Sequence, residues 1–307
     1  MFDFYVRKTI IAISLLIATI SISSTLASEP EIIFSAQWGD NPGEIGLINQ
    51  PERERCGPLS FSTDGKNVFM IDSVHKQIVG INAERKARII KTDINGWCIR
   101  ADSAGGIFVF DGEKVAHIDT NGKSKEDFNI AKKSEKSSTM VEGYGVELFV
   151  DSRGNPTVND ITQNVYSVVD APELTTFANN KSIPSKQPVK YIVKRMLRNE
   201  IRILGLDKEG KELISIPIKT DGGQAGVVLF KGIDLKGNIF VELENIKGKQ
   251  VNLEVHCYSK KGERLRVIVM PNNYFTTVYK KTEVLQDGSV YQMLTTEEGV
   301  KILRWKF

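Results

Sequence analysis

Short apolar runs alternate with polar turns along almost the whole chain. Val68-Phe69-Met70-Ile71 follows the turn Ser62-Thr63-Asp64-Gly65, and Ile107-Phe108-Val109-Phe110 follows Ser103-Ala104-Gly105-Gly106. Ile239-Phe240-Val241 follows Asp234-Leu235-Lys236-Gly237, and Val290-Tyr291 follows Gln286-Asp287-Gly288. A second turn recurs later in each unit, as in Ala116-His117-Ile118-Asp119-Thr120-Asn121-Gly122-Lys123 and Leu204-Gly205-Leu206-Asp207-Lys208-Glu209-Gly210-Lys211. Residues 79–86 and 256–263 continue that series. Asp, Asn and Ser open such turns through side-chain-to-backbone hydrogen bonds, and Gly takes the left-handed position. The pattern predicts β-hairpins, and long helical periodicity is absent after residue 28.

The spacing counts the units. The first-turn glycines Gly65, Gly105, Gly154, Gly237 and Gly288 are separated by 40, 49, 83 and 51 residues. The gap of 83 holds two periods, so one unit lacks its glycine turn, and Lys190-Tyr191-Ile192-Val193 supplies its strand. Units of this period cannot bury an apolar face alone and must stack or close radially. The last unit has three predicted strands, 282–285, 289–294 and 300–305, whereas Glu31-Ile32-Ile33-Phe34-Ser35 is a strand without a hairpin partner. Pairing these two ends protects the edges that an open array would expose. The expected fold is an all-β, six-bladed β-propeller. Its ring is closed by the N-terminal strand on the C-terminal blade, in a single domain over residues 28–307. Residues 123–138 and 179–188 read as loops from their polar and Pro-rich composition.

The N-terminus departs from this pattern. Arg7-Lys8 precede an almost wholly apolar or hydroxyl run to about Ser24, and Thr25-Leu26-Ala27 places small residues at a cleavage site. Residues 1–27 are expected to be a secretory signal peptide, with the alternative of an uncleaved anchor. The mature chain is then secreted or periplasmic and has no membrane span. The net charge of the whole chain is +3. Charges this well mixed give no electrostatic case for nucleic acid. Of the three cysteines, Cys56 and Cys98 stand at similar places in successive units. In an oxidising compartment they are the pair expected to bridge, the alternative being three unbonded, buried thiols.

Residues 38–78 resemble an NHL repeat. Trp38-Gly39-Asp40-Asn41-Pro42-Gly43-Glu44-Ile45-Gly46 looks like its inter-blade connection, and Pro58-Leu59-Ser60-Phe61-Ser62-Thr63-Asp64-Gly65 like its innermost strand and turn. Val68-Phe69-Met70-Ile71-Asp72-Ser73 with Ile78 resembles the second strand, its aspartate and the isoleucine of the third. The eponymous triplet is replaced by His75-Lys76-Gln77. The resemblance implies a propeller whose faces serve as interaction surfaces. The wider superfamily includes metal-dependent lactonases and gluconolactonase-like proteins, which hold a divalent cation in the central channel.

Candidate chemistry is sparse. A lactonase-like site needs acidic and amide residues near the starts of innermost strands, and only Glu147, with Asn159 and Asp160, is placed for it. Calcium or another divalent cation is the cofactor of that alternative. The turn aspartates Asp64, Asp151 and Asp234 are explained by turn geometry. His75, His117 and His256 show no zinc-ligand spacing, and no nucleophile elbow, haem motif or phosphate-binding loop occurs. Arg53, Arg55 and Arg100 are expected near strand entries, where they could attract an anionic ligand. The reading that follows is a monomeric binding scaffold without a cofactor, whose partner is a protein or a cell-envelope component. The alternative is a metal-dependent, lactonase-like hydrolase.

Overall fold

The computed structural model describes residues 29–84, 86–94, 96–102, 105–129, 146–150, 156–159, 165–167, 190–196, 200–207 and 209–306. Within them the chain is an all-β propeller built of six sheets, each with antiparallel neighbours. Sheet one contains β2 (Phe61–Thr63), β3 (Val68–Asp72), β4 (Gln77–Ile81) and β5 (Ala87–Lys91). Sheet two contains β6 (Cys98–Ala101), β7 (Ile107–Phe110), β8 (Lys114–Ile118) and β9 (Ser124–Asn129). Sheet three holds β10 (Glu147–Val150), β11 (Pro156–Asn159) and β12 (Val165–Ser167), and sheet four β13 (Lys190–Arg195), β14 (Ile201–Leu206) and β15 (Glu212–Ile218). Sheet five holds β16 (Gln224–Ile233), β17 (Ile239–Lys247), β18 (Gln250–Tyr258) and β19 (Arg264–Met270). Sheet six joins β20 (Thr282–Val284), β21 (Val290–Thr296) and β22 (Gly299–Trp305) to β1 (Glu31–Gln37). The N-terminal strand therefore pairs with the C-terminal unit, and the register runs from Glu31 opposite Arg304 to Gln37 opposite Gly299.

The hairpin turns form as their chemistry predicts. The Asp234 carboxylate accepts from the backbone N–H groups of Lys236 (2.9 Å) and Asn238 (2.8 Å), and Gly237 sits at φ +80°. Asp119 accepts in the same way from Asn121 and Lys123. The strand of the unit lacking its glycine turn is β13, at the expected place.

The continuous apolar runs Val68-Phe69-Met70-Ile71 in β3 and Ile107-Phe108-Val109-Phe110 in β7 are explained by where the two faces of each strand go. In β3, Val68 and Met70 pack into the cluster shared with sheet six, whereas Phe69 and Ile71 join the cluster shared with sheet two. In β7, Ile107 and Val109 face sheet one, and Phe108 and Phe110 face sheet three. A strand buried on both faces shows a continuous apolar run rather than alternation. Each such fully buried side chain contributes about 1.5–3 kcal/mol through removal from water. Five clusters of this kind fill the gaps between sheets six and one, one and two, two and three, four and five, and five and six. The gap between sheets three and four borders segments outside the described residues.

Two expectations need correction or fall outside view. The polar segment expected as a loop from residue 123 begins with strand β9, the outermost of sheet two, which leaves most of its side chains in solvent and tucks in Phe128. An edge strand needs few apolar residues, so composition misreads it. Residues 1–27, 130–145 and 179–188, with Asp151, Gly154 and Asp160, lie outside the described residues. No helix among the described residues is long and apolar enough to cross a membrane.

Candidate functional site

The first strand of each sheet lies towards the axis: β2 touches β6, β6 touches β10, β13 touches β16 and β16 touches β20. These inner strands, with β17 and the segment that leads into β20, carry charge into a region that water barely reaches. Lys231, Glu147, Glu242, Lys280 and Glu283 are each at most 6% exposed. An unpaired charge in such a place costs several kcal/mol, and the five side chains, with Arg100, form matched pairs.

The Lys231 ammonium is hydrogen-bonded to Glu147 across the axis and lies 3.6 Å from Glu242. Burial alone would lower its pKa. The surrounding carboxylates of Glu147, Glu242 and Glu283 outweigh that effect and hold it above the ordinary lysine value. Glu242 also accepts from the Thr282 hydroxyl on sheet six. A second set centres on Glu283, which meets Lys280 at 3.1 Å and Arg100 at 2.8 Å. Glu283 further accepts from the Ser62 hydroxyl and the Thr63 N–H of sheet one. Lys280 donates to the carbonyl of Ile99 in sheet two. Three cations thus balance three carboxylates, and the network joins sheets one, two, three, five and six.

Glu147 is the residue expected to hold a cation in a lactonase-like channel. Its placement near the start of an inner strand is correct, and Asn159 lies opposite it in register on β11. The donor set around it does not fit a divalent cation, because the Lys231 ammonium already occupies the carboxylate and would repel the metal. Among the described residues no group of three or more His, Cys, Asp and Glu side chains converges as a metal site.

The chain's other reactive groups are also engaged elsewhere. Cys56, Cys98 and Cys257 are free thiols. The bridge expected between Cys56 and Cys98 is not formed. Cys56 lies in a connection paired with Ile48 and Thr277, whereas Cys98 starts β6 and packs between sheets two and three. Burial raises the pKa of all three, that of Cys257 to about 11, so none is an activated thiolate. The histidines occupy three separate places. His75 bridges Asp72 and Asp40, each at 2.8 Å. His117 pairs with Asp102 and stacks on Phe108. His256 is fully buried between Glu254 and Tyr258.

The structure separates the three arginines expected near strand entries. Arg100 and Lys231 line a cavity of about 470 Å³ at the end of the axis where the first turns gather. The aspartates at this mouth are already engaged: Asp64 by Lys66 and Asn67, Asp102 by Gly106 and His117, Asp234 by Lys236 and Asn238, and Asp287 by Ser289. Arg53 and Arg55 line a second groove of about 1050 Å³ over the loops at residues 49–55 and 272–281. Sequence reasoning missed Lys231, Glu242, Lys280 and Glu283. A signal was present in Val228-Leu229-Phe230-Lys231 and Ile239-Phe240-Val241-Glu242, since a charge inside a run destined for burial requires a partner.

No protein-family profile and no curated protein sequence matches the chain. Among solved structures it is similar to a gluconolactonase from Xanthomonas campestris, at 8% identity and a TM-score of 0.44 over 90% of this chain and 99% of that one. A catalytically inactive virginiamycin B lyase from Staphylococcus aureus, solved with quinupristin, is 11% identical with a TM-score of 0.42 over 86% and 99%. A calcium-binding regucalcin from Agrobacterium tumefaciens is 12% identical with a TM-score of 0.40 over 81% and 90%. Likeness at this level leaves the site to be read from its own residues.

Proposed function

We propose that the protein is an exported, monomeric, six-bladed propeller that acts as a metal-independent binding module for another protein or a cell-envelope component. The observation that carries this reading is the Lys231 ammonium seated on Glu147, with Glu283 likewise matched by Lys280 and Arg100. A lactonase-like hydrolase needs channel carboxylates free to hold a cation, and these are neutralised by side chains of the chain itself. Loops on a rigid scaffold then remain as the place for function.

Six blades in a closed ring are supported by the six sheets and by the pairing of β1 with β22. The NHL-like character is proposed for residues 38–78. There the buried Asp72 accepts from Gly46 and Gln77 and faces His75, tying the inter-blade connection to sheet one.

Thermal unfolding with calcium, with zinc and with a chelator tests the reading. A ligand that binds only the folded state raises the midpoint by mass action. The expected result is one midpoint under all three conditions. A rise with either cation, reversed by chelator, would overturn the metal-independent module.

A further inference from the structure

We propose that the loop-face groove binds an acidic peptide segment of a partner protein, with Arg53 and Arg55 gripping its side-chain carboxylates. This rests on the binding-module reading and adds to it the face and the chemistry of the partner.

The groove leaves several of its charges unmatched among the described residues, in contrast to the axis. Its lining carries Glu52, Arg53, Glu54, Arg55 and Lys281. Lys281 is answered by Glu244 at 3.5 Å. Among the described residues the side chains of Glu52, Arg53 and Glu54 have no hydrogen-bond or ion-pair partner. Arg55 is held in place without being neutralised. Its guanidinium lies 4.4 Å over the Phe275 ring, and its Nε donates to Asn49 Oδ1 at 3.1 Å. A guanidinium fixed by stacking, with no carboxylate of the described residues on it, is a preorganised receptor for a planar oxyanion. Glu52 sits at φ +63°, a left-handed conformation uncommon for a residue with a side chain. Such outliers persist where the surroundings enforce them and cluster at ligand-binding loops.

The pattern of sign chooses the class of ligand. Three cations and two carboxylates leave the lining at only +1. A sulfated glycan or a nucleic acid gains affinity from a uniformly basic track and would meet Glu52 and Glu54 within this one. A peptide carries discrete carboxylates separated by amide, hydroxyl or basic groups. It can pair with Arg53 and Arg55 while its own donors answer Glu52 and Glu54. Arginine beside aromatic rings is also the composition that concentrates binding energy at protein interfaces.

The test is fluorescence anisotropy with labelled octapeptides, each carrying paired glutamates at varied separation among serine, alanine and a single lysine. Matching peptides with glutamine, and a heparin oligosaccharide, serve as the other arms. Binding of a glutamate peptide is expected, weakened roughly tenfold or more by glutamine replacement and by Arg53→Ala or Arg55→Ala in the protein. Arg53 is exposed and has no side-chain partner among the described residues, so Arg53→Ala should keep the wild-type melting midpoint, which separates lost contact from lost fold. Absence of binding by every glutamate peptide, equal binding by Arg53→Ala, or preference for heparin would each overturn the proposal. Lack of peptide binding with a cation-independent midpoint leaves the module reading standing. A cation-dependent midpoint removes that reading whatever the peptides do.

Discussion

The axis and the loop-face groove handle charge in opposite ways. At the axis, where Lys231 and Glu283 are 4% and 1% exposed, each cation has a carboxylate partner and the second acceptor sites are filled by Thr282, Ser62 and the Thr63 N–H. In the groove Arg53, Glu52 and Glu54 lie in solvent, without side-chain partners among the described residues. The difference follows from the cost of desolvation. An isolated buried charge would cost several kcal/mol, so the fold must match it internally. An exposed one costs little and stays available to a ligand. The axis therefore reads as a structural pin between sheets, and the groove as the surface open to recognition.

Breaking the pin should have the largest effect. Glu283→Gln leaves Lys280 and Arg100 facing an amide in a buried site, and a loss of about 3–5 kcal/mol is expected in urea unfolding. Adding Lys280→Met to that background should recover part of the loss, because the stranded charge goes with it. A single-variant loss below about 1 kcal/mol would show that water reaches the axis and that the matching is incidental.

A smaller effect belongs to the His75 clamp, which lies between the two extremes. The hydrogen bond to the exposed Asp40 is the main cause of its raised pKa, opposed by burial and reinforced by Asp72. The folded protein therefore holds the His75 proton more tightly than the unfolded chain. Its contribution to stability is complete below about pH 6.5 and fades as pH rises through the raised folded value. Asp40→Asn should flatten this decline in a pH series of unfolding midpoints; an unchanged slope would remove Asp40 from the clamp. The smallest effect is expected at the groove, where Arg53→Ala should alter stability by no more than about 0.5 kcal/mol. A larger loss would mean that Arg53 supports the fold rather than a ligand.

Most of the architecture was legible because it is encoded locally. The Asp234–Gly237 and Asp119–Gly122 turns announce themselves by side-chain capping and left-handed glycine, within a few residues of each other. The pairing of β1 with β22 spans the chain, yet it was legible from an incomplete last unit and a leftover first strand. What escaped was charge pairing at long range. Glu147 was rightly placed near the start of an inner strand, but its partner Lys231 lies 84 residues away, and nothing local distinguishes a future salt bridge from a metal ligand. The same limit applies to Glu283 and Arg100. Cys56 and Cys98 show a related limit, since similar places in successive units do not by themselves join two thiols, and both are free.

A double-mutant cycle on Lys231→Met and Glu147→Gln tests the central claim most directly. If the axis is pinned by matched buried charge, each single variant loses about 3 kcal/mol or more, and the double variant loses less than their sum by about 1–3 kcal/mol. Single losses that are small and simply add would contradict the claim, and would return Glu147 to the pool of carboxylates free to meet a ligand.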